Sequence, residues 1–141
     1  MTDKNRLPDT RNEQYINRTV YKRENSTRSM GTQKEDLAET YLRKQGFRIL
    51  ERNFRSRQGE IDIIGYDGAY LVFAEVKYRK SGSLENPLEA VGHTKMTRIC
   101  KTADYYRYRK QIPLNTPIRY DVIGILGEKI EWIKNAFPHV Y

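Results

Sequence analysis

The stretch Gly59–Arg79, GEIDIIGYDGAYLVFAEVKYR, is where the fold can be read. Ile61 to Tyr66 and Ala69 to Tyr78 have the composition of two strands, and Asp67-Gly68 between them suits a two-residue hairpin turn. With Asp67 and Gly68 as the turn, Tyr66 pairs with Ala69, Ile64 with Leu71, Asp62 with Phe73 and Glu60 with Glu75. Side chains alternate along a strand. Glu60, Asp62, Phe73, Glu75 and Lys77 therefore share one face, and Ile61, Ile63, Val72, Ala74 and Val76 share the other. The second set is a core face. The first puts three acids and a lysine where a plain core hairpin would hold valine or isoleucine.

In this register Glu75 faces Glu60 directly and lies diagonal to Asp62, and like charges so placed destabilise a sheet. Water would relieve them on an exposed face; on a partly buried face a cation would have to. Mg²⁺ suits that place, being a hard cation commonly held by one or two carboxylates together with water and phosphate oxygens. Lys77 points to the same side, where its ammonium could orient or activate an attacking water, or stabilise charge developing on a phosphate. Two acids, a metal and a lysine together describe phosphodiester hydrolysis. Glu60 reads equally well as an outer partner of such a site or as a surface strand residue.

Outward from the hairpin, Leu37, Ala38, Tyr41 and Leu42 recur at helical spacing ahead of Gly46, and Thr32 with Glu35 has the spacing of a capping box. Phe47 to Phe54 reads as a strand, followed by the basic loop RSRQG. After the loop SGSLENP, a helix is predicted from Leu88 to about Lys110, with Met96, Ile99, Ala103 and Tyr106 as its inward stripe. IRYDVIGIL and KIEWIKNAF follow as short strands, the second less strongly marked. Helix, three strands, helix and one or two strands predict an α/β or α+β fold. Residues 1–30 hold seven basic and four acidic residues with no helical or strand period, and read as a flexible basic tail, either solvated or touching nucleic acid. The ordered domain is expected over residues 31–141.

The chain's 141 residues carry a formal charge of +8, which predicts attraction to a polyanion, with nucleic acid ahead of a membrane surface. No run approaches the roughly 20 apolar residues of a spanning helix. The N-terminal residues lack the apolar stretch of a signal peptide. The lone Cys100 excludes an intramolecular disulfide, and His93 and His139 are too far apart in sequence to suggest a metal cluster. A cytoplasmic protein is the expectation. Arg55 and Arg57 sit just before the acidic hairpin, and Arg98, Lys101 and Tyr105 share one face of the second helix. The loop pair is well placed to hold a nucleic-acid backbone, and the helix set reads as a phosphate-binding stripe or as an ordinary charged face. Asp121, between two apolar-rich segments, reads as structural.

Asp62, Glu75 thirteen residues later, one hydrophobic residue and Lys77 match the D…(D/E)-x-K signature of restriction-endonuclease-like (PD-(D/E)XK) nucleases. Around them GTQKEDLAETYLRKQGF, ERNFR, GEIDIIG, FAEVKYR, AV followed by Lys95, RYDVIG and NAF resemble the YraN-like family of uncharacterised bacterial proteins. That family in turn resembles archaeal Holliday-junction resolvases. The similarity covers roughly residues 31–137 and implies a central mixed sheet flanked by helices. It implies Asp62 and Glu75 as ligands of Mg²⁺ or Mn²⁺, joined by the backbone carbonyl of Val76. Lys77 would be the catalytic lysine, Glu35 the acid completing the site from the first helix, and Lys95 part of the nucleic-acid-binding set. Lys34 departs from the glycine usual before that glutamate. A homodimer is open by analogy with the resolvases alone.

The leading expectation is therefore a metal-dependent DNA endonuclease, with branched DNA among its candidate substrates. Its rivals are a nucleic-acid-binding module that keeps the fold without cleavage, and an adaptor that docks a protein partner.

Overall fold

A computed structural model of the chain describes residues 29–79 and 91–141. Apart from residues 29 and 30 the expected tail lies outside them, as do the loop SGSLENP and the expected helix start at Leu88. Helix α1 (Ser29–Lys44) leads into strands β1 (Arg48–Ser56), β2 (Gly59–Asp67) and β3 (Tyr70–Arg79). Helix α2 (His93–Arg109) then precedes β4 (Ile118–Leu126) and β5 (Lys129–Phe137). The five strands form one sheet in the order β1-β2-β3-β4-β5. β1, β2 and β3 are an antiparallel meander, β3 and β4 run parallel across the α2 crossover, and β4 and β5 are antiparallel. This is an α+β fold with a mixed sheet, consistent with a restriction-endonuclease-like core.

Both faces of the sheet are buried. On one, Ile64, Leu71, Phe73, Tyr120 and Val122 pack with Met96, Ile99, Cys100, Ala103 and Tyr106 of α2. On the other, Ile63, Val72, Ala74, Ile123 and Ile125 pack with Ala38 and Leu42 of α1. The expected inward stripe of the second helix is thus correct, and Cys100 is a packed thiol within it. The expected division into one core face and one charged face is not. Phe73 and its neighbours fill the face that the acids share, and the charge is confined to one end of it.

Several local expectations change as well. Helix α1 runs back at least to Ser29, so Thr32 lies inside it and is no N-cap. Helix α2 starts at His93 with Gly92 as its N-cap, so Val91 and Gly92 stand outside it. The weakly marked KIEWIKNAF is a full strand. The hairpin turn is Gly68-Ala69, with Asp67 opposite Tyr70 and Ile63 opposite Ala74. A two-residue turn with glycine first needs a positive φ at that position, and Gly68 has φ 58°. The register therefore moves by two residues from the one expected. Parity survives such a shift, so Asp62 and Glu75 keep a common face, but Glu75 now faces Asp62 and not Glu60, and Ile61, expected beside Ile63, packs in the core of Phe73.

Two contacts fix the strands around this hairpin. Asp121, fully buried, accepts hydrogen bonds from Arg119 Nε and Nη2, Trp132 Nε1 and the Asn135 amide at 2.7–2.9 Å. The carboxylate thereby spans the irregularity between β4 and β5, which is the structural role its sequence position suggested. Gly65 is the second. A Cβ there would lie 2.3 Å from both the Arg48 carbonyl oxygen and the Phe47 ring. Because the backbone oxygen cannot step aside, Gly65→Ala is expected to destabilise the fold by about 3 kcal/mol or more. Urea unfolding with an unchanged m-value is the check, and a wild-type midpoint would refute so close an approach.

Candidate functional site

The site forms where β2 and β3 part. Their ladder ends at the Ile63–Ala74 pair, and beyond it the Val76 amide donates to Asp62 Oδ2 at 2.8 Å. A side chain has taken the place of a backbone acceptor. The parting has a visible cause in the neighbouring strand. Two residues apart on a strand should share a face, yet Arg52 reaches α1 while Phe54 packs against Tyr106 of α2. Their partners Ile63 and Ile61 divide between the two cores in the same way. Asn53, between them, has φ 52°, a left-handed conformation that asparagine tolerates better than most residues. The register sets Asn53 opposite Asp62.

Four charged side chains meet at this break. Asp62 and Glu75 lie within hydrogen-bonding reach of one another, with Glu75 buried and Asp62 half-buried. Burial, and then the charge of Glu75, push the Asp62 carboxyl up to about 7. Lys95, in the first turn of α2, is ion-paired with Glu75. Burial would lower its ammonium, but Glu75 and Asp62 hold it above the usual lysine value. Lys77 stands beside Lys95, and its own value is lowered by burial and by that neighbouring ammonium.

Of the residues singled out from sequence, Asp62, Glu75, Lys77 and Lys95 are thus brought together, with Val76 at their centre through its amide. Glu35 is not in direct contact with them. It accepts from Asn53 Nδ2 at 2.9 Å and lies 3.5 Å from Arg52, which also binds Asp36 and Glu39. Among the described residues no three acidic, histidine or cysteine side chains are grouped as metal ligands. Lys34 finds a partner in Tyr78, its ammonium 3.7 Å from the ring centroid. Glu60 is exposed and pairs with Arg55 across β1, away from Glu75.

The basic residues gather along α2. Lys95, Arg98 and Lys101 are exposed, and the β1–β2 turn rests on the helix at Gly59, where a Cβ would lie 3.3 Å from Arg98 Cβ and Thr102 Oγ1. That contact sets the exposed Arg57 and Arg55 beside the helix. Tyr105 stacks on Phe54, so one side of its ring faces the protein. A cleft of about 800 Å³ opens at the other end of α2 between Asp104, Arg107, Tyr108 and Leu114, and none of the four clustered charges lines it.

Sequence reasoning missed Asn53. Its one signal was an asparagine in the middle of a strand, inside ERNFR. Lys95 reads from the sequence as a nucleic-acid contact, whereas the structure makes it the partner of Glu75. Nothing in a linear reading sets the first turn of α2 against β3.

A divalent cation fits the donor set. Two carboxylates face one another, and the one flexible ammonium of Lys95 meets their repulsion only in part. The pair therefore costs folding free energy at neutral pH. Asp62→Asn keeps an oxygen for the Val76 amide and removes the repulsion. In EDTA at neutral pH it is expected to unfold at higher urea than wild type, by about 1 kcal/mol. Asp62→Ala, which orphans the amide, should unfold earlier than Asp62→Asn. Equal or lower stability of the asparagine variant would show that the acids are not in conflict.

Residues 34–125 match the model of the family described as Uncharacterised protein family UPF0102, the YraN family of the resemblance noted above. A UPF0102 protein of Lachnoclostridium phytofermentans is 49% identical over 107 residues, covering 76% of this chain and 91% of the relative. One from Persephonella marina is 46% identical over 111 residues, covering 79% and 95%. One from Colwellia psychrerythraea is 41% identical over 126 residues, covering 86% and 97%. Among the described residues no helix is long and apolar enough to cross a membrane.

Proposed function

The chain belongs to the UPF0102 family, and we propose that it is a metal-dependent endonuclease that hydrolyses phosphodiester bonds in DNA. The observation that carries this reading is the meeting of Asp62, Glu75 and Lys77 at the break between β2 and β3. Asp62 and Glu75 would hold Mg²⁺ or Mn²⁺, with the Val76 carbonyl as a further oxygen donor. Bound there, the ion would supply Lewis-acid polarisation of the phosphate and lower the pKa of a bound water.

The chain's own residues have separate tasks around it. The Val76 amide holds the Asp62 carboxylate in one orientation. Lys77, lowered by burial and by Lys95, presents an ammonium that orients the attacking water or meets charge developing on the phosphate. Glu35 acts at one remove, by holding Asn53 in its turned conformation opposite Asp62. Arg55, Arg57, Arg98 and Lys101 contact phosphates on either side of the scissile bond without reading bases.

A second reading is a DNA-binding module with the same fold and no cleavage. Its support is the absence of a third acidic side chain at the pair among the described residues. The two readings part in an assay on end-labelled single strands, duplex, flap and four-way junction with Mg²⁺, Mn²⁺ or EDTA. The nuclease gives metal-dependent cutting that falls more than about a hundredfold in Glu75→Ala while DNA binding persists. Binding without cutting under every condition would favour the module. In parallel, Arg98→Ala is expected to weaken binding uniformly across sequences and to reduce the salt slope by about one. An unchanged slope would remove Arg98 from the interface.

A further inference from the structure

We propose that Lys95 is a resident stand-in for the divalent cation: its ammonium holds Glu75 until a substrate phosphate draws it away, so that metal and DNA enter the site cooperatively. The inference rests on the reading of Asp62 and Glu75 as a cation-binding pair.

Three observations lead to it. Lys95 is the one lysine ion-paired with Glu75 among the described residues, and the bonded oxygen belongs to a side chain only 5% exposed. An ammonium in that position takes up a carboxylate oxygen that a divalent ion at the pair would need, and the two cations would repel each other there. The second observation is the asymmetry of the pair. Lys95 is 46% exposed, on a flexible stem in the first turn of α2, whereas Glu75 is fixed in the middle of a sheet. The lysine can leave and the glutamate cannot. The third is where it would go. Arg98 follows Lys95 one helical turn on and Lys101 another, both exposed. A phosphate lying against them offers Lys95 a second anion on its solvent side.

Lys77 differs in each respect. It belongs to β3, it makes no ion pair among the described residues, and it is less exposed than Lys95. The two lysines within reach of one another thus divide the work, one fixed and one movable. Without DNA the movable one keeps Glu75 occupied. With DNA it becomes a phosphate contact and leaves both carboxylates to the metal. Linkage then requires that metal tighten DNA binding by the factor by which DNA tightens metal binding.

The test is a Mn²⁺ titration of the full chain, followed by the electron paramagnetic resonance of the free ion, with and without a short DNA duplex. Wild type is compared with Lys95→Met, Lys95→Gln, Lys77→Met and Glu75→Gln, each first shown to be folded by circular dichroism. Both Lys95 variants are expected to bind Mn²⁺ about tenfold tighter than wild type without DNA. DNA should tighten the wild type by a similar factor and the Lys95 variants hardly at all. Lys77→Met should gain less than either and should keep its response to DNA. If the Lys95 variants bind no tighter than wild type, or respond to DNA as it does, the stand-in is overturned. The metal site itself still stands in that case if Glu75→Gln loses Mn²⁺. Equal gains in the Lys77 and Lys95 variants would reduce the effect to net charge and overturn it as well. If no variant binds Mn²⁺, the reading of the acid pair fails, and the stand-in fails with it.

Discussion

One hydrogen bond organises this molecule's unusual region, the one from the Val76 amide to the Asp62 carboxylate. A sheet satisfies its amides through its neighbours' carbonyls, and a buried amide left without a partner is costly. By supplying a side-chain oxygen at the first position past the ladder, Asp62 lets β2 leave β3 without that cost. The opening so made is lined by the residues that did the work. Separation of the strands and placement of the acids are therefore a single event, and neither could be obtained without the other.

The arrangement stands against local stability and is held by what surrounds it. Glu75 is buried beside another carboxylate, and Asn53 is turned into a left-handed backbone conformation that costs a non-glycine residue free energy. Around them the structure is conventional: two apolar layers, a meander with close turns, and a buried Asp121 with four donors. Gln111 and Asn135 also take a positive φ, but the buried acid pair is the strain that bears on the site, and rigid surroundings keep its charges from relaxing apart.

Legibility in the sequence followed how local each feature is. The hairpin, the inward stripe of α2 and the acid–lysine pattern depend on alternation and helical spacing, and all three were readable. The shared face of Asp62, Glu75 and Lys77 survived a mistaken turn because an error of two residues preserves parity. An error of one would have reversed every side chain. The choice of Gly68-Ala69 over Asp67-Gly68 turns on which residue takes the positive φ, and both dipeptides contain the glycine. The burial of both sheet faces was harder to see, because the apolar side chains sharing the acid face belong partly to β4 and α2. The turn at Asn53 and the approach of Lys95 depend on contacts between elements, which no window of the sequence contains.

The topology bears on how these charges find each other. Asp62 and Glu75 lie thirteen residues apart on neighbouring antiparallel strands, while Lys95 is carried on the helix that leads from β3 to its parallel partner β4. Local pairings close at little entropic expense, and parallel pairings across a crossover close late. The acids therefore share a hairpin before anything buries them, and water relieves their repulsion until the rest of the fold closes over them. The docking of α2 belongs to that closure and also brings Lys95 to Glu75, so the conflict and its compensation arrive in the same late step.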